Sequence, residues 1–322
     1  MTLAVIGGAG FVGTRLAEIL ERENVDFQIL DKKLEGAQYV DITKPETLIA
    51  LKSASMVINL AAEHRDDVMP KSLYDDVNVG GSRNICDYCR ASNINTIIFT
   101  SSVAVYGFAP EGTDESGTIN YFNDYGRTKH LAECVYRDWY EEDPENRNLV
   151  IVRPTVIFGE GNRGNVYNLL KQIASGKFLM FGNGKNRKSM AYVQNIAEFL
   201  NFSTALKGYC LYNYIDKPDL DMNTLITTVR STLFNKENIG LRFPAFLGHL
   251  AGYGFDLLAL LLRRNLPISS IRVKKFMGTT AFNTSVGKSG FTPQVTLEEG
   301  LRRTLKYEFL ENNADKQTFL TE

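Results

Sequence analysis

Leu3-Ala4-Val5-Ile6-Gly7-Gly8-Ala9-Gly10-Phe11-Val12-Gly13 is the stretch on which the fold turns. Four apolar residues stop at a glycine, and from Phe11 to Leu20 the apolar residues recur at helical spacing. The run therefore reads as strand, tight turn and helix. Glycines stand at positions 7, 10 and 13, and each has its own task at such a junction. The first permits the turn, the second lets backbone approach a pyrophosphate, and the third lets helix and strand pack closely. The helix N-terminus then offers unpaired N–H groups and a positive dipole end to phosphate oxygens.

Further apolar runs follow at Phe27–Leu30, Met56–Ala61, Thr96–Thr100, Leu149–Val152 and Leu211–Tyr214, each separated from the next by a helical or loop segment. Strands apolar along their whole length belong in a parallel sheet covered on both faces. The expected fold is α/β, a Rossmann-type doubly wound parallel sheet with a smaller C-terminal substrate-binding domain. Residues 1–160 make the dinucleotide-binding part, strands near 189–215 return to it, and 161–322 are mainly substrate-binding. Asp31 ends the second strand eighteen residues after Gly13. A carboxylate there accepts both hydroxyls of an adenosine ribose and repels a 2′-phosphate, which favours NAD over NADP. Lys32 and Lys33 keep NADP as the second reading.

Composition excludes several classes. The 322 residues carry a net charge of −1 with Lys and Arg scattered, so the basic stripe that a nucleic-acid binder needs is missing. Cys86, Cys89, Cys134 and Cys210 are too few and too uneven for a disulfide scaffold, and a reducing cytoplasm is expected. Cys86 and Cys89 have redox or zinc spacing, but they lie in a helical stretch without a second pair, and no metal is expected. Met1-Thr2-Leu3 runs into the first strand without the basic start of a signal peptide. Phe243 to Leu262 is strongly apolar and is followed by Arg263-Arg264, yet Pro244, His249, Asp256 and three glycines interrupt it. A buried or interface helix fits it better than a membrane span, and peripheral membrane contact through 243–264 is the second reading.

Chemistry concentrates in two places. Thr100-Ser101-Ser102-Val103-Ala104-Val105-Tyr106-Gly107 closes the Thr96 strand, and Asp124-Tyr125-Gly126-Arg127-Thr128-Lys129 begins eighteen residues beyond Tyr106. Tyr125 and Lys129 are four apart, on one face of a helix, so an ammonium near the phenol would lower its pKa. A phenol tuned in this way takes the proton of an alcohol as hydride leaves the carbon, and returns it in reverse. A hydroxyl such as Ser102, bonded to the same oxygen, would hold the substrate.

Together with Leu60-Ala61-Ala62, Asn78 and Arg153-Pro154, these motifs resemble the extended short-chain dehydrogenase/reductase superfamily, in its branch of NAD-dependent sugar-nucleotide epimerases and dehydratases. The resemblance runs along nearly the whole chain and is most specific through about residue 160. It implies Tyr125 as acid/base, Lys129 on the nicotinamide ribose and Ser102 on the reacting hydroxyl. It further implies Asp41 and Ile42 beside the adenine, Ala61 and Ala62 lining the cofactor, and Asn78 supporting the central helix. Phe11, Val12, Leu60 and Pro154 complete the implied cofactor site, and a homodimer through the Tyr125 helix is the family expectation.

Dehydratases of this branch follow the serine with an Asp-Glu pair. Val103 and Ala104 stand there instead, and neither moves a proton. The reading is therefore a sugar-nucleotide 4-epimerase of the UDP-hexose or UDP-N-acetylhexosamine type. Alternatives are an NAD(P)H-dependent reductase of a UDP-4-keto-6-deoxy sugar and a non-catalytic dinucleotide-binding subunit. Val156 replaces an Asn that many epimerases use on the nucleotide sugar, which weakens the transfer of their substrate preference. Candidate substrate contacts are Asn165 and Val166, with a helix cap as the alternative role of Asn165, and the diphosphate-binding cations Arg187, Lys188 and Arg272. Glu63, in Glu63-His64-Arg65-Asp66 at a strand end, either reads the sugar or joins an internal ion-paired loop.

Overall fold

The computed structural model describes residues 2–33, 36–65, 68–176, 178–248, 250, 253–254, 256, 274, 277–313 and 315–320. Seven strands form one sheet: β1 (Thr2–Ile6), β2 (Phe27–Asp31), β3 (Gln38–Tyr39), β4 (Ala54–Asn59), β5 (Thr96–Thr100), β6 (Asn148–Pro154) and β7 (Tyr209–Tyr214). Their order is β3-β2-β1-β4-β5-β6-β7, and every pairing is parallel. The order reverses at β1, which pairs with β2 on one side and β4 on the other. Open sheets of this kind present their ligand crevice at that reversal, beyond the carboxyl ends of the strands.

The uniform apolarity of the strands has a direct cause. Ala4 and Ile6 of β1 point to a layer containing α2 (Gly81–Ser92) and α3 (Asp124–Glu141), through Ile85, Cys86, Cys89, Ala132, Tyr136 and Trp139. Leu3 and Val5 point the other way, to Leu16, Ile19 and Leu20 of α1 (Phe11–Arg22). There Ile196, Phe199 and Leu200 join them from a helix whose range is Val193–Phe202. Both faces are covered, so neither alternates with polar residues. Cys86 and Cys89 are core side chains, and burial pushes both thiols up, Cys89 to about 12.

The late part of the chain divides. Tyr209–Tyr214 completes the sheet against β6, whereas Met190–Tyr192 pairs with Val156–Phe158 outside it. A second core gathers Phe158, Val166, Leu170, Leu225, Ile226, Leu301 and Leu305, from α4 (Asn165–Ala174), α6 (Met222–Phe234) and α7 (Leu297–Phe309), with α5 being Val193–Phe202. Short pairs edge this lobe: Arg187–Lys188 with Leu220–Asp221, and Met180–Phe181 with Arg242–Phe243. Among the described residues no helix is long and apolar enough to cross a membrane. Much of 243–264 lies outside the described residues.

Candidate active site

The glycine turn sits at the sheet reversal. Gly7 has φ +77°, and a Cβ there would lie 2.7 Å from the Ala61 nitrogen, so only glycine lets β1 and the β4 exit approach so closely. At Gly13 the same atom would come within 2.5 Å of the Gly8 backbone, which explains the close packing of α1. Gly10 caps α1 without a side chain, so no side-chain acceptor competes for the first N–H groups of the helix. The cradle has the shape for a diphosphate: Gly10 N closes the turn by donating to Gly7 O at 3.1 Å, and Phe11, Val12 and Gly13, the first residues of α1, are those whose backbone could donate to it. The Phe11 side chain itself leaves the crevice and packs on Phe319, with ring centroids 5.6 Å apart.

Asp31 is folded toward this turn. One carboxylate oxygen accepts from Ala9 N at 3.1 Å and the other from Lys33 N at 3.0 Å. Asp41 forms its own turn, accepting from Thr43 N at 3.0 Å and Thr43 Oγ1 at 2.7 Å. Ile42 is buried against Gly81, and its carbonyl oxygen accepts from Asn84 Nδ2 at 2.8 Å. Leu60 is half-buried in the α1-side core, and Ala61 N donates to Asn59 Oδ1 at 3.0 Å. Ala62 is half-buried, and Pro154 is buried at the end of β6.

Asn78 lies in a π-helical turn, Asp75–Gly80, just before α2. Its Oδ1 accepts from Glu63 N at 2.8 Å, and its Nδ2 donates to Glu63 O at 3.0 Å and Thr128 Oγ1 at 2.9 Å. One amide thus joins the turn after β4 to α3. The Glu63 carboxylate lies 3.7 Å from Arg65 Nε, an arrangement of the internal ion-paired kind. Asp66 is outside the described residues.

Tyr125 opens α3 behind the Asn123 cap, whose side chain accepts from Gly126 N at 2.9 Å. A Cβ on Gly126 would lie 2.5 Å from the Ala104 carbonyl oxygen. The helix therefore rests directly on the turn after β5, which brings the Tyr125 phenol within the electrostatic reach of Ser102. Ser102 Oγ accepts from Ala104 N at 3.1 Å, which fixes its rotamer. Burial pushes the phenol above its ordinary value, and the Ser102 hydroxyl draws it part of the way back. The helical spacing predicts the opposite direction. Desolvation wins because Lys129 is itself buried, pushed down to about 7, and donates its Nζ to Thr100 O at 2.5 Å.

Beneath this pair lies a buried network that motif spacing does not reveal. Arg153 grips Glu133 with two hydrogen bonds, of 2.8 and 2.5 Å, and donates a third to Tyr106 at 2.6 Å. Ser101 donates to the same carboxylate, and Tyr106 donates to Asn213 Oδ1 at 2.8 Å. Burial pulls the Glu133 carboxyl up, but Arg153, His130 and Ser101 together hold the group below its ordinary value. The network ties the ends of β5, β6 and β7 to α3, one helical turn beyond Lys129.

The substrate candidates are more scattered. Gly164, not Asn165, holds the cap position of α4, which overturns the cap role for Asn165; that residue is exposed and Val166 is core. Arg187 is ion-paired with Glu111. Lys188 donates to Thr280 Oγ1 at 3.3 Å, and burial lowers it to about 8. Arg272 is outside the described residues. Among the described residues no cluster of three His, Cys, Asp or Glu is placed to hold a metal.

Comparison with known proteins adds three findings. The profile of the family described as NAD dependent epimerase/dehydratase matches residues 3–206. A relative from Escherichia coli O157:H7, N-acetyl-alpha-D-glucosaminyl-diphospho-ditrans,octacis-undecaprenol 4-epimerase, is 50% identical across 99% of this chain and 98% of its own length. The structure of UDP-N-acetylglucosamine 4-epimerase from Bacillus cereus superposes with a TM-score of 0.75 at 17% identity, covering 95% of this chain and 98% of that one, which is a likeness of fold.

Proposed function

Because the chain belongs to the NAD-dependent epimerase/dehydratase family, we propose that it inverts C4 of an N-acetylhexosamine carried on a diphosphate, with a polyprenol as the carrier. The observation that carries the reading is the seating of the Tyr125 helix on the Ser102–Ala104 turn, through Gly126 against the Ala104 carbonyl, in a turn where neither Val103 nor Ala104 has a proton to give or take. Tyr125 takes the proton from the sugar O4 and later returns it. Ser102 holds the same oxygen in line. With no acid or base at positions 103 and 104, elimination of water has no agent, and the 4-keto sugar persists long enough to present its other face.

The glycine turn, the α1 N-terminus and Asp31 are the residues that would hold NAD. Bound there, NAD supplies the hydride acceptor for C4 and a positive charge that favours the phenolate. The polyprenol carrier is supported by the 50% identical relative, a 4-epimerase named for a diphospho-undecaprenol substrate. A nucleotide carrier, the expectation from sequence, presents the same hexosyl diphosphate to the same site.

The test offers NAD-loaded protein polyprenyl diphosphate N-acetylglucosamine and, separately, its UDP-linked counterpart, and reads N-acetylgalactosamine after mild acid release. Interconversion of the lipid-linked sugar without added reductant is expected, and Tyr125→Phe should lower turnover by about 10²-fold or more. Turnover of the UDP sugar alone would move the carrier to the nucleotide. Consumption of NADH or NADPH by a 4-keto sugar, with no interconversion, would replace the epimerase by a reductase.

A further inference from the structure

Three consecutive residues at the end of β5 meet three successive turns of α3. Ser102 lies within reach of the Tyr125 phenol, the Thr100 carbonyl takes the Lys129 ammonium at 2.5 Å, and Ser101 donates to the Glu133 carboxylate. Tyr125, Lys129 and Glu133 are four apart, so they form a stripe on one helix face. The stripe puts a buried carboxylate one turn beyond a buried ammonium. Lys129 and Glu133 are 2% and 0% exposed, which removes the water that would screen one charge from the other. The ammonium otherwise has modest support: the Phe99 ring, 4.5 Å from Nζ, and the Thr100 carbonyl. His64, from the turn after β4, adds none, since its own protonated form and the ammonium disfavour one another. Among the described residues, Glu133 is the carboxylate that favours the charged form of Lys129. Arg153 fixes that carboxylate from β6, and His130 Nδ1 comes within 3.9 Å of it.

We propose that Glu133 is a positioning residue for the proton transfer: its carboxylate, held by Arg153 and Ser101, supplies the negative charge that keeps the Lys129 ammonium protonated in the dry interior. The charge on Lys129 is a property of the fold, and its use in moving the sugar proton rests on the epimerase reading given above. The competing role for the Glu133–Arg153 pair is to pin α3 to β6 and nothing more. Charge and shape separate the two. Gln has the shape of Glu without its charge, and Asp has the charge without the reach. A field at Lys129 follows charge, whereas pinning follows shape. The sign is fixed by the surroundings. Burial depresses Lys129 to about 7, and Glu133 opposes that depression. Removing the carboxylate deepens it and leaves the Arg153 cation buried without its ionic partner.

The test is urea unfolding of the full chain without NAD across a pH series, with Lys129→Met made in every background so that the difference isolates Lys129 from His64 and His130. In the parent that difference should begin to rise near pH 7, because the folded state sheds the proton there while the unfolded chain holds it to 10.5. Glu133→Gln should start the rise about one pH unit lower, a tenfold weaker hold on the proton, and Glu133→Asp should leave it near the parental position. Glu133→Leu/Arg153→Met, which leaves neither charge of the pair buried alone, should also start lower, and it reads the same effect should the Gln variant fail to fold. The NAD-loaded enzyme gives a second readout: the alkaline limb of kcat/KM for a diphosphate-linked N-acetylhexosamine should move down in Glu133→Gln and hold in Glu133→Asp. An onset that stays at the parental pH in the Gln and double variants overturns the proposal, as does one that moves as far with Asp as with Gln. Either result leaves the pair as a pin. Failure of the epimerase reading would appear instead as no turnover by the parent while the unfolding onset still moves with charge.

Discussion

Gly126→Ala perturbs the contact that sets the distance between Tyr125 and Ser102. The added Cβ would stand 2.5 Å from the Ala104 carbonyl oxygen, 3.0 Å from its carbon and 3.1 Å from the Tyr121 Cβ. Carbon meets a carbonyl oxygen comfortably at about 3.3 Å, so the gap must open by about 0.8 Å. The obstacle is backbone and has no rotamer to escape into. Helix α3 must therefore lift from the turn after β5, carrying the Tyr125 hydroxyl away from Ser102 Oγ. A displacement near 1 Å costs about 10²-fold in a reaction that depends on alignment, so kcat should fall by about 10- to 100-fold with KM little changed. Stability should move far less, because overpacking costs about 1–3 kcal/mol and alanine returns about 1 kcal/mol of helix propensity. Steady-state kinetics and urea unfolding on the same preparation separate the two effects. Parental kcat together with a raised unfolding midpoint would refute the reasoning, since the Cβ would then be accommodated without moving the phenol.

Glu133→Gln leaves the Arg153 guanidinium buried without its ionic partner and should cost about 3–5 kcal/mol in urea unfolding, part of which Glu133→Leu/Arg153→Met recovers. The Glu133 carboxyl is depressed in the folded state, so its contribution is present above the unfolded value of about 4.5 and is lost as pH falls through the folded one; the Gln variant should show a flatter acid limb. Lys129 titrates near 7 when folded and 10.5 when unfolded, so the NAD-free protein should gain stability as pH rises between those values. Lys129→Met should flatten that rise, and an unchanged slope would show that another group causes it. Asp31→Ala should raise the ratio of NADP to NAD affinity by about tenfold or more by removing a charge opposed to the 2′-phosphate, as read by isothermal titration.

Much of the sheet was legible because parallel strands covered on both faces must be apolar throughout, and β1, β2, β4, β5, β6 and β7 all read that way. Strand β3 did not, being two exposed residues, Gln38 and Tyr39, paired with the end of β2. Local motifs told which residue types meet at the site: the glycine turn, Ser102 and Tyr125. They did not tell which way the phenol moves, since desolvation depends on packing around Tyr125 and Lys129 rather than on their spacing. The Arg153–Glu133 pair joins residues twenty apart on a strand and a helix, with no motif to announce it. In the sequence Arg153 stands out only with the proline that follows it, and a charged residue inside an apolar strand is the usable signal. Of the two roles that sequence offers Asn165, the cap falls to the neighbouring Gly164 because glycine also caps, and an exposed loop residue such as Arg187 finds its partner, Glu111, only in three dimensions.

The late return of β7 has a consequence for exchanging parts with relatives. Its six residues pair along the whole of β6 between Leu149 and Pro154, and Tyr214 packs on Phe199 of α5, with ring centroids 5.2 Å apart. A chimera joined once, near residue 160, would import a foreign lobe together with a foreign edge strand and the helix covering it. The borrowed strand would have to meet the register of the host β6, or leave that edge open to other chains. Preserving the host sheet requires a cassette with separate junctions before α5 and after β7.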